Sequence, residues 1–399
     1  MRPSVPRGFH DALFQEAAER RAIADAVSAA FDLWGYRPVE TPVVEEYETL
    51  EAGAGASLEG TAFRLFDVDG SLLALRPEMT LPIARLVATR LSGEPGPYRI
   101  RYVADVYREH ASLRGEARQF TQAGIELLGV NGPVSDAEVV TMLAESLAAA
   151  GLAEFTVGIG TVEVLRALLD AAGGTAAWRA DVLAAAHRGD LVGLERLTRI
   201  EGVDATAAEA LRRVPRIGGG AEAIGRCREV VAPAGCAAAL DGIERTWQLL
   251  EATGVSERVR VDFGILRSFD YYTGLILEAY APGLGLPLGG GGRYDDVLAA
   301  FDAPMPAAGF ALSIERLHIA LRAQGVEIAT PGLGAVVGGS DAAAVLRAAA
   351  GLRARGVRTR VARSADPASI VAEARAAGAP DAYLAGPDGD VRLAGEVVS

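Results

Sequence analysis

The chain has 399 residues, half of them hydrophobic and under a quarter charged; that is too long for one ordinary core and too apolar for disorder, so two or three globular domains are expected. Net charge is −13 and all 39 basic residues are arginine, because lysine is absent. A Walker-type phosphate loop, which needs a lysine after its glycines, is therefore excluded, and extensive nucleic-acid contact, which depends on neutralising phosphates, is disfavoured. No apolar run is long enough to span a membrane and the first residues lack the apolar core of a signal peptide, so a cytoplasmic location is expected.

In chain order, the first predicted element is a helix. Asp11 is its expected cap, Ile23, Val27, Ala30, Phe31 and Trp34 make an apolar stripe at helical spacing, and Gly35 ends it. Tyr36 to Glu45, with Pro38 and Pro42, reads as an extended edge segment. Residues 72–91 read as a short strand entering a helix past Pro82, and 98–107 and 118–129 as two strands joined by the polar connector Arg108 to Ala117. From about 133 to 252 the composition turns to helices, predicted at Ala137–Ala150 (capped by Ser135), Val162–Ala171, Ala177–His187, Leu191–Thr198 and Cys236–Ala252. Cys227 and Cys236 lie in this block with no histidine beside them and read as reduced structural thiols.

Strands return at Val259–Phe263 and Leu275–Tyr280, followed by the four-glycine run Gly289–Gly292, read as a tight turn, and a helix from about Ser313 to Ala323. Strands on both sides of a helical block predict an α+β domain made of residues 1–132 and 253–326, with 133–252 as a helical insertion. After the linker Glu327–Gly334, residues 335–399 carry a βαβαβ pattern and read as a separate small α/β domain. Its helices are expected to be capped by Ser340 and by Asp366 before Pro367, and stopped by Gly356 and Gly378.

The chemistry begins on the strand 118–129. Period-two alternation puts Arg118, Phe120, Gln122, Gly124, Glu126 and Leu128 on one face and the apolar Thr121, Ala123, Ile125 and Leu127 on the other. Alone, the polar face reads as solvated; but Gly124 weakens a strand unless something must approach the backbone there. Glu78 and Thr80 share a side of another extended stretch, and Arg267 to Gly274 concentrates an arginine with Tyr271 and Tyr272. Carboxylate, guanidinium and phenol together suit a free amino acid, whose ammonium, carboxylate and side chain need an acceptor, a cation and a matched pocket. Gly158-Ile159-Gly160, read as following a strand, lacks the third glycine of a dinucleotide fingerprint. His10, His110, His187 and His318 show no ligand spacing, so neither a metal nor a cofactor is expected.

In this order the segments resemble the class II histidyl-tRNA synthetases. Pro6-Arg7-Gly8 with the first helix, Gly35-Tyr36 and Glu40-Thr41-Pro42 look like that family's opening and motif 1, Arg76-Pro77-Glu78-Met79-Thr80 like its RPEGT element, and Arg108 to Gly129 like motif 2. Arg267 to Gly274 and Gly290 to Asp295 are similar to the two histidine-specific segments, and Gly309 to Leu317 to motif 3. The resemblance implies a class II synthetase-like mixed, mainly antiparallel sheet with flanking helices, in a dimer. It assigns Glu78, Thr80 and Gln122 to the ammonium of L-histidine, Arg267 to its carboxylate, and Glu126 with Tyr271 or Tyr272 to its imidazole. A carboxylate and a phenol can fix both ring nitrogens and so reject ligands lacking them.

The ATP half departs from the synthetases: His110 and Glu116 stand where their motif 2 chemistry would be, and Met79 replaces a glycine. A carboxylate about 4 Å from a phosphate is repelled by roughly 4 kcal/mol per charge at an effective dielectric near 20. Arg108 and Arg316 remain as a remnant ATP site. A kept amino-acid pocket with a damaged ATP site resembles the regulatory subunits of ATP phosphoribosyltransferase. That resemblance implies a non-catalytic chain that joins a short-form catalytic subunit in a hetero-oligomer at the first step of histidine biosynthesis and confers feedback inhibition by histidine. The alternatives are a working histidyl-tRNA synthetase, against which stands a C-terminal domain that ends early for an anticodon binder, and a stand-alone histidine-binding adaptor.

Overall fold

The structure, a computed structural model, describes residues 4–54, 60–109, 117–265, 272–387 and 389–395. The chain divides into two units, Met1–Ile328 and Ala329–Ser399.

In the first unit, the helix α1 (Phe14–Leu33) buries Ile23, Ala24, Val27, Ala30 and Phe31, the stripe that helical spacing dictates. Asp11 is not its cap. Leu13 occupies that position without a side-chain bond, and the first turn is tied instead by His10 to Glu16 and by Gln15 to Glu19. Gly35 ends the helix at φ +75°, where a side chain would be strained.

The nine-stranded sheet beside it runs, in spatial order, β1 (Arg37–Pro38), β5 (Tyr98–Tyr107), β6 (Gln119–Leu128), β12 (Ala307–Ser313), β11 (Gly289–Arg293), β10 (Leu275–Tyr280), β7 (Thr156–Thr161), β9 (Val259–Asp262) and β8 (Gly218–Gly219). Only β1–β5 and β7–β9 pair in parallel; the other neighbours are antiparallel. Pro38 sits on the edge strand, where its missing N–H costs least. α1 packs with α4 (Pro133–Ala149) and α11 (Ile314–Ala323) over β5 and β6.

Two sequence readings change here. Gly289–Gly292 is not a turn: it is β11, paired on both sides in the middle of the sheet. A Cβ on Gly289 would lie 2.1 Å from the Ala311 carbonyl oxygen, and one on Gly291 2.0 Å from that of Gly309. The glycines answer to close backbone approach, which composition cannot distinguish from turn chemistry. Likewise Gly158 and Gly160 do not follow a strand but lie inside β7, where a Cβ on Gly160 would come within 2.6 Å of the Asp262 carbonyl oxygen. Residues 133–252 thus supply two strands, β7 and β8, to the central sheet as well as helices.

Those helices are α4, α5 (Val162–Ala172), α6 (Ala176–His187), α7 (Leu191–Leu197), α8 (Ala205–Arg213), α9 (Ala221–Val231) and α10 (Asp241–Ala252). Thr161, Thr175, Asp190 and Asp204 cap α5 to α8 through their side chains. α4 starts at Pro133, preorganised for a first helical position, so Ser135 lies inside it rather than at its cap. The predicted Cys236–Ala252 helix is a 3-10 turn, Ala237–Leu240, followed by α10; Cys227 and Cys236 are buried free thiols.

A three-stranded sheet, β2 (Val44–Glu46), β4 (Leu72–Leu75) and β3 (Arg64–Phe66), with α2 (Tyr47–Ala54), delivers the chain to α3 (Thr80–Leu86). The link from β4 to α3 is pinned by buried Arg76, which donates to the carbonyls of Thr41, Pro42 and Asp105 at 2.6, 3.1 and 2.9 Å.

The second unit is a sheet in the order β14 (Thr359–Val361), β13 (Ala335–Gly338), β15 (Asp381–Gly386), β16 (Gly389–Gly395). Ala335 and Val337 join a core with α12 (Ala342–Ala354), and Val336 a second core with α13 (Pro367–Ala376), one for each face of the pleat. Asp366 caps α13 as expected, whereas α12 is capped by Asp341, whose carboxylate accepts two backbone N–H groups, and not by Ser340. The antiparallel β16 extends the βαβαβ pattern read from the sequence.

Candidate functional site

β6 brings Gln122 and Glu126 to one face, and that face is not solvated: Gln122 is 7% and Glu126 1% exposed, as buried as the helix-facing Ala123, Ile125 and Leu127. The glycine between them has a steric cause. Gly124 pairs with Tyr102 across β5, and a Cβ on it would fall 2.5 Å from the Tyr102 hydroxyl oxygen and 2.3 Å from the Phe310 carbonyl oxygen. On the other side Gly309 pairs with Glu126, and a Cβ there would lie 2.0 Å from Glu126 Oε2. Two glycines on neighbouring strands therefore make room, one for a phenol and one for a carboxylate.

Glu126 is the centre of the site. The Thr80 hydroxyl donates to its Oε1 at 2.9 Å, and the Tyr294 hydroxyl donates to its Oε2; Tyr102 also hydrogen-bonds to it. Burial pushes its pKa up to about 8; the Tyr294 and Thr80 hydroxyls oppose the rise, and the nearby Glu78 carboxyl adds to it. Glu78, part-buried, has its carboxyl pushed up by desolvation, against the backbone N–H groups of Thr80 and Leu81 from which it accepts at 2.7 and 2.8 Å. Those bonds fasten Glu78 to the first turn of α3. The Tyr272 ring is buried against Gly292, where a Cβ would come within 2.9 Å of it, and Arg166 donates to the Tyr272 carbonyl oxygen at 2.7 Å. Among the described residues, Gln122 Oε1 is buried without a hydrogen-bond partner.

Of the residues singled out from the sequence, Thr80 bonds Glu126, Glu78 lies in its electrostatic range, and Gln122 shares its strand face. Tyr272 is electrostatically coupled to Tyr102 beside Glu126. Arg267 and Tyr271, and the ATP-half departures His110 and Glu116, lie outside the described residues. Tyr102 and Tyr294 were missed. Tyr294 falls within Gly290 to Asp295, and registering the 98–107 strand against 118–129 sets Tyr102 opposite Gly124. Of the two arginines read as a remnant ATP site, Arg108 donates to the Pro77 carbonyl at 2.8 Å and stacks over Phe120 at 5.2 Å, while Arg316 donates to the Pro287 carbonyl at 2.8 Å. Met79 is 1% exposed, so its side chain fills space that glycine would leave open.

The sequence model of the histidyl-tRNA synthetase family matches residues 8–317. Within that breadth, the ATP phosphoribosyltransferase regulatory subunit of Moorella thermoacetica is 42% identical, covering 88% of this chain and 90% of its own length. That of Symbiobacterium thermophilum is 41% identical, covering 94% and 96%. The chain belongs to the ATP phosphoribosyltransferase regulatory subunit family. A solved regulatory subunit/histidyl-tRNA synthetase from Bacillus halodurans C superposes on this family member with a TM-score of 0.80 at 33% identity, over 90% of this chain and 92% of that one. The histidyl-tRNA synthetase of Nostoc sp. PCC 7120 gives 0.79 at 20% identity over 99% and 97%, which shows the class II fold. Since the regulatory-subunit chain matches that synthetase almost end to end, the length of its C-terminal unit does not separate the two activities.

Proposed function

We propose that this chain is a regulatory subunit without catalysis of its own. In this reading it binds L-histidine around Glu126 and acts on a short-form ATP phosphoribosyltransferase catalytic subunit, enabling the first step of histidine biosynthesis and imposing feedback inhibition. The observation that carries the ligand assignment is an excess of buried acceptors. Glu126 is a buried and Glu78 a part-buried carboxyl, and among the described residues Gln122 Oε1 has no donor. A buried acceptor left unpaired costs about 1–3 kcal/mol, so the site favours a ligand rich in N–H groups. Histidine supplies an ammonium for Glu78, Thr80 and Gln122, and a ring N–H for Glu126. Arg267 is assigned to its carboxylate and Tyr271 or Tyr272 to the second ring nitrogen.

The functional division we propose follows the chain: residues 1–132 and 253–326 hold the ligand, 133–252 form a largely helical region, and 335–399 a separate module. Self-association as a dimer inside a hetero-oligomer and a cytoplasmic location complete the reading, with no metal or cofactor. Among the described residues no helix is long and apolar enough to cross a membrane, which is compatible with that location.

Calorimetry tests the pocket. Histidine should bind, and Glu126→Ala or Arg267→Ala should weaken it at least tenfold, about 1.4 kcal/mol for a lost charge-assisted contact. Histidine-dependent pyrophosphate exchange by the purified chain would overturn the non-catalytic reading in favour of a synthetase.

A further inference from the structure

Five charged side chains gather where α4 and α5 meet the strands that carry the pocket. Arg293, 5% exposed, donates Nε and Nη2 to Asp136 Oδ1 at 2.9 and 2.7 Å, Nη2 to Ser135 Oγ at 2.7 Å, and Nη1 to Asp295 Oδ1 at 3.1 Å. Asp136, Arg293, Arg166 and Asp295 all act electrostatically on Glu163, in the first turn of α5. Tyr294, next along from Arg293, is one of the three residues whose hydroxyls reach Glu126.

The segment 272–274 is held by the same elements. The Gly274 carbonyl accepts the Val162 N–H, at the start of α5, at 3.0 Å, and the Thr273 N–H donates to the Arg293 carbonyl at 2.7 Å. The Asp295 N–H donates to Thr273 Oγ1 at 3.0 Å. Arg166, one turn further along α5, spans to the Tyr272 carbonyl at 2.7 Å. α5 therefore grips both ends of this three-residue piece, and α4 fixes the residue beside Tyr294.

We propose that Arg166 is a positioning residue for the ligand. By holding the Tyr272 carbonyl it sets the Tyr272 ring over Gly292, and so makes ligand affinity depend on where α5 lies. The inference rests on the histidine reading of the pocket and adds a regulatory route to it. A displacement of α5 that breaks this bond lowers ligand affinity, and by reciprocity a bound ligand resists that displacement. The helical region that contains α5 is thereby coupled to pocket occupancy without touching the ligand.

The test uses the full chain with Arg166→Met, which keeps the aliphatic bulk and removes the donors, and Arg166→Lys, which keeps one. Three quantities are read: histidine affinity by calorimetry, hydrogen exchange at 272–274 in the unliganded protein, and the melting temperature. Arg166→Met is expected to weaken histidine roughly tenfold, as loss of a charged hydrogen bond would. It should also raise exchange locally at 272–274 while the melting temperature stays near wild type, and Arg166→Lys should recover part of the affinity. Wild-type affinity and exchange in Arg166→Met would overturn the proposal and leave the histidine reading standing. Exchange raised evenly across the first unit with a lower melting temperature would also overturn it, as a general loss of structure. If wild type does not bind histidine, the histidine reading falls, and exchange alone decides: a local rise at 272–274 upholds the clamp, and its absence overturns it.

Discussion

Glu126 accepts hydrogen bonds from three hydroxyls at once, those of Thr80, Tyr294 and Tyr102, and is nonetheless held with its pKa near 8. Desolvation outweighs the three donors and favours the protonated carboxyl. The linkage has a definite sign. The folded protein holds this proton more tightly than the unfolded chain, whose carboxyl titrates near 4.5. Folding stability is therefore lost as pH rises from the unfolded value towards 8, at up to about 1.4 kcal/mol per unit. Glu126→Gln should flatten this term: chemical denaturation of the ligand-free protein should show the variant's advantage over wild type growing from pH 5 to 8. An advantage independent of pH would place the proton elsewhere. The chemistry of this residue was legible from its strand alternation with Gln122 and Gly124, because period two fixes which side chains share a face. Its burial was not, since nothing local to 118–129 shows that Tyr102, Tyr294 and Gly309 close over it. Tyr294→Phe, which deletes one donor, should raise the Glu126 pKa further and shift the same stability profile to higher pH.

At the scale of elements, side-chain periodicity marks the long helices and is silent on glycine-rich backbone. The stripe of α1 and the strands β5, β6 and β10 follow from spacing alone. β11 does not, because a run of four glycines carries no side-chain period, and only the neighbouring strands reveal why it is glycine. The two kinds of glycine predict opposite outcomes. Gly291→Ala would put a methyl 2.0 Å from the Gly309 carbonyl oxygen in the middle of the sheet, and should destabilise the protein by about 3 kcal/mol or more. Gly225→Ala, in the exposed part of α9 with nothing within 4 Å of the new carbon, should stabilise it by about 0.5–1 kcal/mol. Thermal melts of both variants check the pair, and equal shifts would contradict it. The caps expected at Asp11, Ser135 and Ser340 lie elsewhere for related reasons, whereas the one at Asp366 holds. Asp11 and Ser340 are plausible caps by type, but Pro133, Leu13 and Asp341 show that the start of a helix also depends on what its first turn can bond.

For the whole molecule, every described pocket residue lies within Met1–Ile328. Reconstitution with a short catalytic subunit should show activation by this chain, then inhibition on adding histidine. Glu78→Gln keeps the side chain's shape but removes the charge facing the ammonium, so activation should survive and the inhibition curve should move to higher histidine. An unchanged curve would mean that the feedback signal is read outside the pocket. The order of the sheet has a consequence in time as well as in space. Glu126 and Gln122 lie on β6, but their neighbours Gly309 and Ser313 lie on β12, far later in the chain. At 5–20 residues per second the ribosome needs roughly 10–40 s to travel from one to the other. Throughout that interval a strand bearing an acid destined for burial must wait beside β5 with its other edge unpaired. A nascent chain released before β12 emerges would carry most of the site's side chains and no site, so chaperone demand during translation should peak over this stretch.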